Sequence, residues 1–514
     1  MARIEQLEIE TKYDVAERVV LPALHELPGV ERVAQPVEQD LEAVYFDTAA
    51  YDLATAGITL RRRTGGDDAG WHVKFPAETG GRLEVRFPLG EEVPLELVRM
   101  VRVYVRDRPL VPAVTLRTHR VVHRLLGADD VVLAELSDDQ VNAEIAGSEP
   151  NVWREWELEL VDGARDLLAA AEPVLREAGA EPAAGPSKLA RALGDRVPVR
   201  PTWELPAKPT AVDVFRAYAA EQVNAIRRRD PEVRRDQPDA VHKMRVATRR
   251  LRSALATYRP VVDRAEGDRI RAELKWLAGQ LGGTRDAEVI HERLSAAVAA
   301  EPPELVMGRI AGAIDDELRA TYKAAHEVSL ETLETERYLR LLDDLDVLVA
   351  EPPLTEAAAE LKPKKSARLL KSLLKHDWKR ITKAVDRMRA AEQGATDAAA
   401  SAPSVEAANA AVEAERHEVR KAAKRLRYAA ESVAPVLGET GATGLAKSAE
   451  RVQEVLGAYQ DSVVARQVLR QLAVQVQLDG GNAFTLGRLH ALEQTAGEAA
   501  VRSFDSVWPL DFPF

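Results

Sequence analysis

Glu8, Glu10 and Lys12 stand two positions apart in EIETK, and Glu155, Glu157 and Glu159 do the same in EWELEL. Alternate side chains of an extended strand share a face, so each trio presents one row of charge. The same parity joins Arg61 with Arg63 in TLRRR, His72 with Lys74 in WHVK, and Glu84 with Arg86 in LEVR. Carboxylate rows offer the oxygen ligands that hard divalent cations such as Mg²⁺ prefer. Rows of Arg and Lys suit phosphate oxygens, Arg as a bidentate fork and Lys as a point charge. One such strand would ordinarily be the solvated outer face of a sheet. Five of them, with paired glutamates on two strands and paired basic residues on others, better fit a closed barrel with a wet interior. The chemistry expected there is polyphosphate held against a metal ion.

A second constellation lies far downstream. His242, Arg245, Arg249, Arg250 and Arg252 return 175 positions later as His417, Arg420, Lys424, Arg425 and Arg427. The same offset pairs Leu281, Gly282 and Asp286 with Leu456, Gly457 and Asp461. A shared offset over some forty-five residues marks a duplicated unit. At 100° per residue, His242, Arg245, Arg249 and Arg252 fall within an arc of about 80° on one helix face. Met244, Leu251, Leu255 and Tyr258 form a separate apolar arc that can pack while the basic row stays available. His417, Arg420, Lys424 and Arg427 repeat the arrangement against Val419, Leu426 and Ala430. Arg368, Lys371, Lys375 and Lys379 make a third stripe. Few acids stand at i+4 to neutralise these rows, so a bound polyanion would relieve their self-repulsion.

The elements that must hold these residues differ between the two parts of the chain. Residues 1–195 are short alternating segments separated by turn residues, as in an antiparallel β domain. Helices are expected near Glu92–Tyr104 and over DGARDLLAAAEPVLREAG, packed on the sheet. Four prolines between Pro198 and Pro209 make 196–209 a stiff linker. From 210 to 510 the periodicity is helical, and the duplication divides it into repeats at about 210–350 and 360–510. The low-complexity stretch near 391–413 is expected to be a flexible excursion in the second repeat.

Composition limits the partners. The 514 residues carry a net charge of −12, with 46% hydrophobic and 30% charged residues, which allows several soluble domains. Ten Lys and Arg against four acids between Arg227 and Arg252 point to a local anionic ligand. General adhesion to nucleic acid or to a membrane is not expected of such a chain. No cysteine is present, so disulfides and thiolate metal sites are excluded, and no apolar leader is legible. The expected compartment is the cytoplasm.

With these residues in view, 1–195 resembles the CYTH family, the triphosphate tunnel metalloenzymes. The resemblance rests on ExExK at Glu8, Glu10 and Lys12, YFDT at Tyr45–Thr48, and GITLRRR at Gly57–Arg63. WHVK, the Arg117/Arg120 segment, AELSDD, ELEL and SKLAR around Lys188 follow in family order. It implies an α+β domain built on an eight-stranded antiparallel tunnel that hydrolyses triphosphates with Mg²⁺ or Mn²⁺. It also implies that Glu8, Glu10, Glu157 and Glu159 are metal-side carboxylates, with Asp138 and Glu135 beside them. Lys12, Arg61, Arg63, Lys74, Arg86, Arg117, Arg120 and Lys188 would be phosphate ligands. Glu8, Glu10 and Lys12 would form the catalytic set, Lys12 helping to orient the attacking water.

Residues 208–510 resemble the CHAD family, whose namesake histidines correspond to His242 and His417. That resemblance implies two pseudo-symmetric four-helix bundles with a basic channel for inorganic polyphosphate. The polyphosphate ligands would be the three stripes named above. The expected function is hydrolysis of inorganic triphosphate or short polyphosphate, with a helical domain that binds polyphosphate. Two alternatives stay open: a non-catalytic polyphosphate-binding protein at polyphosphate granules, and an adenylate cyclase or thiamine triphosphatase.

Overall fold

The computed structural model describes residues 3–78, 80–397 and 402–514. The chain divides into two compact units, Met1–Thr202 and Trp203–Phe514.

The first unit is one curled antiparallel sheet. Its strands are β1 (Ile4–Glu8), β2 (Glu10–Val15), β3 (Arg32–Val33), β4 (Val37–Asp47), β5 (Thr59–Thr64) and β6 (Gly70–Pro76). β7 (Arg82–Pro88), β8 (Val111–Leu126), β9 (Val132–Glu144), β10 (Asn151–Leu160) and β11 (Glu181–Pro182) complete it. The order is β1-β7-β6-β5-β4-β8-β9-β10-β2-β11, with β3 beside β8. β1 and β2 are one strand interrupted at Ile9; its first half pairs with β7 and its second with β10. The two ends of the sheet therefore meet, and the Leu160 amide donates to the Ile9 carbonyl at the seam (2.9 Å). Setting aside the two-residue β3 and β11, eight strands enclose a tunnel.

Two of the apolar cores lie outside this ring. Helix α1 is Asp52–Thr55 and α2 is Leu95–Val105. Leu97, Met100 and Val101 of α2 pack with Leu60, Trp71, Val73 and Val85 on the outer face of β5–β7. Helix α3 (Arg165–Glu177) covers β9, β10 and β2 with Leu167, Leu168, Ala171 and Leu175 against Leu136, Trp156 and Leu158. With the outer face buried by helices, the opposite parity of each strand is left to line the interior, and that parity is the charged one. Helix α4 (Lys188–Leu193) fills one end, seating Leu189, Ala192 and Leu193 against Tyr45, Leu116, Val141 and Trp153. The carboxylate of Asp47 in YFDT accepts from the amides of Thr48, Leu53 and Ala54 at 2.7–2.9 Å. That part of the motif fixes a turn and takes no place among the lumen charges.

The second unit is all helix: α5 (Ala211–Arg234), α6 (Ala240–Thr257), α7 (Arg264–Gln280), α8 (Gly282–Ala299), α9 (Ile310–Glu334), α10 (Glu336–Ala350) and α11 (Glu356–Ala359). Then follow α12 (Pro363–Asp397), α13 (Ala402–Leu437), α14 (Gly444–Leu478) and α15 (Phe484–Arg502). A capping box between Thr210 and Asp213 starts α5 directly after the last proline of the linker. α6 and α13 are the duplicated basic helices, and the broken pair α7–α8 matches the continuous α14. The break falls at Leu281, before Gly282-Gly283, where α14 instead has Gly457-Ala458.

The copies share their cores. Ile290 and Leu294 of α8 and Ile314 and Leu318 of α9 pack with Leu469 of α14 and Leu486 and Leu489 of α15. At the other end, Tyr258 meets Ser432 (3.1 Å), and Asp377 of α12 accepts from Thr257 at 2.8 Å. The segment expected to be an excursion is helical up to Asp397 and again from Ala402; residues 398–401 lie outside the described residues.

Candidate active site and anion-binding cluster

Strand register assembles the tunnel charges into facing rows. Glu10, Lys12 and Asp14 of β2 oppose Glu159, Glu157 and Glu155 of β10. Glu159, Glu157 and Glu155 in turn oppose Glu135, Ser137 and Asp139 of β9. On the other side, Arg61 of β5 faces Tyr45 and His72, His72 faces Arg86, and Lys74 faces Glu84. Glu8 lies opposite Arg82. Glu8, Glu10, Lys12, Arg61, Arg63, Lys74, Arg86, Arg120, Glu157, Glu159 and Lys188 thus all come to one lumen.

Two groupings stand out. In the first, α4 starts at its cap Ser187, whose hydroxyl accepts from the Ala190 amide (3.1 Å). That places Lys188 in the first turn, with its ammonium 2.9 Å from Asp139 and 2.6 Å from both Glu155 and Glu157. Arg120 grips Asp139 through two bonds of 2.6 and 2.7 Å and reaches Glu157 at 2.9 Å. Lys12 bonds Glu10 (2.9 Å) and Glu157. Burial alone would lower the Lys188 pKa, but Asp139, Glu157 and Glu155 raise it. Burial would likewise raise that of Glu157, and Lys12, Lys188 and Arg120 hold it well below the carboxylate range.

The second grouping centres on Glu84, which is 2% exposed. Its carboxylate meets His72 Nδ1 (2.9 Å), Arg86 (2.6 Å), Lys74 (3.5 Å) and Arg61 (3.6 Å). Burial opposes its ionisation, but His72, Lys74 and Arg61 keep its pKa far below normal. Lys74 also pairs with Glu8, and Arg63 with Asp68. Tyr45 accepts from Arg61 at 3.3 Å.

Glu159 differs from its neighbours in making no ion pair among the described residues. Burial first, then Glu8, Glu10 and Glu157, push its pKa up to about 7 against the opposing charge of Lys74. A carboxylate held among carboxylates and outside any ion pair is the donor chemistry that suits a hard divalent ion. Asp139, Glu155 and Glu157 also gather their ligand oxygens within 4.8 Å of one another. The Lys188 ammonium, however, already stands where a metal would supply charge. The Nε–H groups of Arg61 and Arg63 are buried without a hydrogen-bond partner among the described residues.

Two expected site residues fall elsewhere. Asp138 points to the outer face, where Arg154 holds it at 2.6 and 2.8 Å; its neighbour Asp139 takes the lumen position. Arg117 has the opposite parity to Arg120 and forms exposed outer pairs with Glu42 (3.0 Å) and Glu144. Glu135 shares the lumen parity, opposite Glu159, but turns its carboxylate to Arg124 (2.8 Å). Sequence reasoning left out Asp139, Tyr45, Glu84 and Glu155 as site members. The alternation LEVR and EWELEL already placed Glu84 and Glu155 on the charged faces. Counting outward from the apolar Ala134 and Leu136 would have selected Asp139 over Asp138.

In the helical unit the two duplicated stripes meet. α6 packs on α13, bringing Arg245 and Arg249 to Arg420 and Lys424. The Arg245 guanidinium lies over Gly282, and that of Arg420 over Gly457; a Cβ would come within 3.5 and 3.3 Å of them. Both arginines keep a buried Nε–H without a partner. Arg245 reaches Asp286 at 3.0 Å. Burial, and then Arg249, Arg420 and Arg245, push the Lys424 pKa down to about 6, with Asp461 opposing. His242 is half-buried and His417 exposed; burial lowers both pKa values, aided by Arg285 and Lys421 respectively.

The outer ends of the stripes diverge. Arg427 is neutralised by Glu431 and Glu450 (2.8 Å each), whereas Arg252 stands near Arg271. Arg250 and Arg425 are bridging residues: Arg250 reaches Glu431 (3.0 Å), and Arg425 reaches Asp377 (2.7 Å) and the Ala256 carbonyl (2.8 Å). Arg368, Lys371, Lys375 and Lys379 form an exposed row on α12, with Lys371 over the Phe514 ring.

A charged antiparallel tunnel followed by a duplicated helical array defines a two-domain class. A CYTH domain model matches residues 6–192 and a CHAD domain model matches 217–470. The chain belongs to the family of CYTH–CHAD proteins. Two full-length relatives are the uncharacterized proteins MT2285 and Rv2226 of Mycobacterium tuberculosis, each 40% identical over 526 residues. The alignments cover 97% of this chain and 96% of each relative. Similar solved structures include PptA from Streptomyces chartreusis (24% identity, TM-score 0.45, 58% of this chain and 99% of that one). The CHAD domain from the plant Ricinus communis gives 24% identity and TM-score 0.45 over 62% of this chain and 99% of that one. CYTH-domain proteins are metal-dependent triphosphatases or cyclases that act on triphosphate substrates. Among the described residues no helix is long and apolar enough to cross a membrane.

Proposed function

We propose that the tunnel is a metal-dependent triphosphatase for inorganic triphosphate or short polyphosphate, and that the helical unit holds inorganic polyphosphate. One observation carries this reading. Arg61 and Arg63, whose Nε–H groups are buried without a partner, share a lumen with Glu8, Glu10 and Glu159, which makes no ion pair among the described residues. Glu8, Glu10 and Glu159 would hold Mg²⁺ or Mn²⁺, which supplies positive charge against the phosphoryl oxygens when bound. Arg61, Arg63, Lys74 and Arg86 would take phosphate oxygens as the substrate displaces their carboxylate partners. Arg120 and Lys188, locked by Asp139, Glu155 and Glu157, fix the far wall. Lys12 lies beside Glu10 and Glu157, where it would orient the water that attacks in line. The α6–α13 cluster would keep a long chain on the molecule and raise the local concentration of its ends.

Phosphate release from tripolyphosphate, ATP, thiamine triphosphate and long polyphosphate, each with Mg²⁺ or Mn²⁺, tests the reading. Glu8→Ala with Glu10→Ala should abolish release while the fold, followed by circular dichroism, is kept; undiminished turnover would sink the assignment. A second reading has its own support. A cavity of about 610 Å³ beside Glu10 and Lys12 is walled by Ile58, Pro76, Pro182, Pro186 and Leu189. Such a wall would accept the organic part of a nucleoside or thiamine triphosphate, and faster turnover of those substrates than of tripolyphosphate would favour it.

A further inference from the structure

The helical unit holds a cavity of about 330 Å³ whose wall includes none of Arg245, Arg249, Arg420 and Lys424. Residues of α5, α6, α13 and the linker enclose it, with Leu205, Val214 and Pro435 on its apolar side. The linker is held there by Trp203, over which Arg216 of α5 lies at 4.5 Å. Tyr218 and Gln222 also line the cavity and are 9% and 2% exposed. The Tyr218 hydroxyl is buried without a hydrogen-bond partner among the described residues, which is costly unless a guest meets it. Burial, then Glu431 and after it Glu221, raise its pKa well above the usual value, with Arg250 opposing. Glu431 offers more than charge. Its carboxylate oxygens each take one arginine, Arg427 at 2.8 Å and Arg250 at 3.0 Å, and each keeps a lone pair. Its carbonyl lacks the helical donor, because Pro435 one turn on has no N–H to give.

Acceptors therefore dominate the polar side of this cavity. They are the Tyr218 oxygen, the Gln222 amide oxygen, the carbonyl and carboxylate of Glu431, and the carboxylate of the exposed Glu221. Two glutamates oppose an anionic guest. A bare metal ion is a poor fit, since among the described residues Asp139, Glu155 and Glu157 alone converge closely enough to hold one. An alkylammonium carries three N–H donors on an apolar stem and matches both sides of the cavity. We infer that the cavity binds a small primary amine in its ammonium form, its N–H groups on Tyr218, Gln222 and Glu431 and its alkyl body against Leu205, Val214 and Pro435. The Tyr218 oxygen accepts from the ammonium while its own hydrogen turns to a carboxylate. The inference rests on neither the triphosphatase nor the polyphosphate reading.

The test uses the full chain with n-butylammonium chloride as the probe, saturation-transfer NMR reading binding and thermal unfolding reading linkage. Binding should saturate, and n-butanol, butyrate and KCl should each compete at least about tenfold more weakly than the amine. Tyr218→Phe keeps the ring and removes the hydroxyl, so affinity for the probe should fall about tenfold with no loss of thermal stability. Pro435→Ala returns an N–H to the Glu431 carbonyl. The unliganded protein should then melt at a higher temperature while its affinity for the probe falls severalfold. A role in packing alone would move the stability and leave the affinity unchanged. Absence of saturable binding, equal competition by butanol, butyrate or K⁺, or unchanged affinity in both variants overturns the inference. No phosphate compound enters these measurements, so failure of either phosphate reading leaves them intact.

Discussion

The tunnel and the α6–α13 cluster both concentrate Arg and Lys, yet they balance that charge in opposite ways. In the tunnel nearly every cation has a carboxylate partner: Lys12 with Glu10, Lys74 with Glu8, Arg86 with Glu84, Lys188 with three acids. In the helical cluster Arg249, Arg420 and Lys424 face one another, and the nearby acids are few. A lattice of internal pairs is rigid and close to neutral. Only a ligand of high charge and matching shape, helped by a metal, replaces those pairs favourably. A knot of like charges accepts any polyanion long enough to cover it, and its grip weakens with salt. The first arrangement suits selection and chemistry, the second capture.

The sharpest way to break this contrast is to unpair the tunnel. Lys188→Ala leaves Asp139, Glu155 and Glu157 facing one another, and the loss in unfolding free energy should be roughly 3–5 kcal/mol. Because those acids can converge on one cation, Mn²⁺ should restore part of the loss, and denaturant titrations with and without the ion read both numbers. Next in size, reversing Arg245, Arg249, Arg420 and Lys424 to Glu should weaken long-chain polyphosphate binding by about 100-fold or more and flatten its dependence on salt. Unchanged binding would mean that the chain lies elsewhere, with the α12 row the next candidate.

The third effect is a proton linkage. The free cluster holds Lys424 near 6, and a polyanion raises that value, so binding takes up a proton at pH above 6. Affinity should therefore fall as pH rises from 6 to 8, by at most about tenfold per unit, and Lys424→Arg should remove the slope. Isothermal titration in buffers of different ionisation heat counts the proton directly. The smallest effect returns to the tunnel. Glu159 titrates near 7 when folded and at about 4.3 when unfolded, so its penalty is absent below pH 4 and complete above pH 7. Glu159→Gln should therefore stabilise the metal-free protein by about 1–2 kcal/mol at pH 8 after allowance for solvent screening, and by nothing at pH 4. Added Mg²⁺ should narrow or reverse that difference.

Much of this was legible because a strand's period of two is unforgiving. EIETK, TLRRR and EWELEL place every named side chain on the lumen face. The duplicated helix was legible too, since its basic and apolar arcs separate cleanly. Asp138 and Arg117 were misplaced because a motif names a neighbourhood and only parity names a face. The central role of Glu84 depends on two other strands, β5 and β6, arriving at one point, which no local pattern states. Nor does the sequence of either copy reveal that Arg427 is neutralised while Arg252 has no acidic partner among the described residues: Glu431 lies one turn along the same helix, but Glu450 comes from α14.

The seam at Ile9 has a consequence for how the molecule is made. Residues 4–15 leave the ribosome before both of their partners, β7 and β10, and the latter ends at Leu160. At 5–20 residues per second, the second half of that strand waits roughly 8–30 s for its partner to be synthesised. Throughout that interval it is a lone strand with an unpaired edge, the form most open to wrong pairing. In the helical unit α5–α6, α8–α9, α12–α13 and α14–α15 each dock first on a neighbour in sequence, and only the contacts between the two copies wait for distant partners. Barrel closure is then a step at which synthesis of this chain lies exposed to chaperones and proteases.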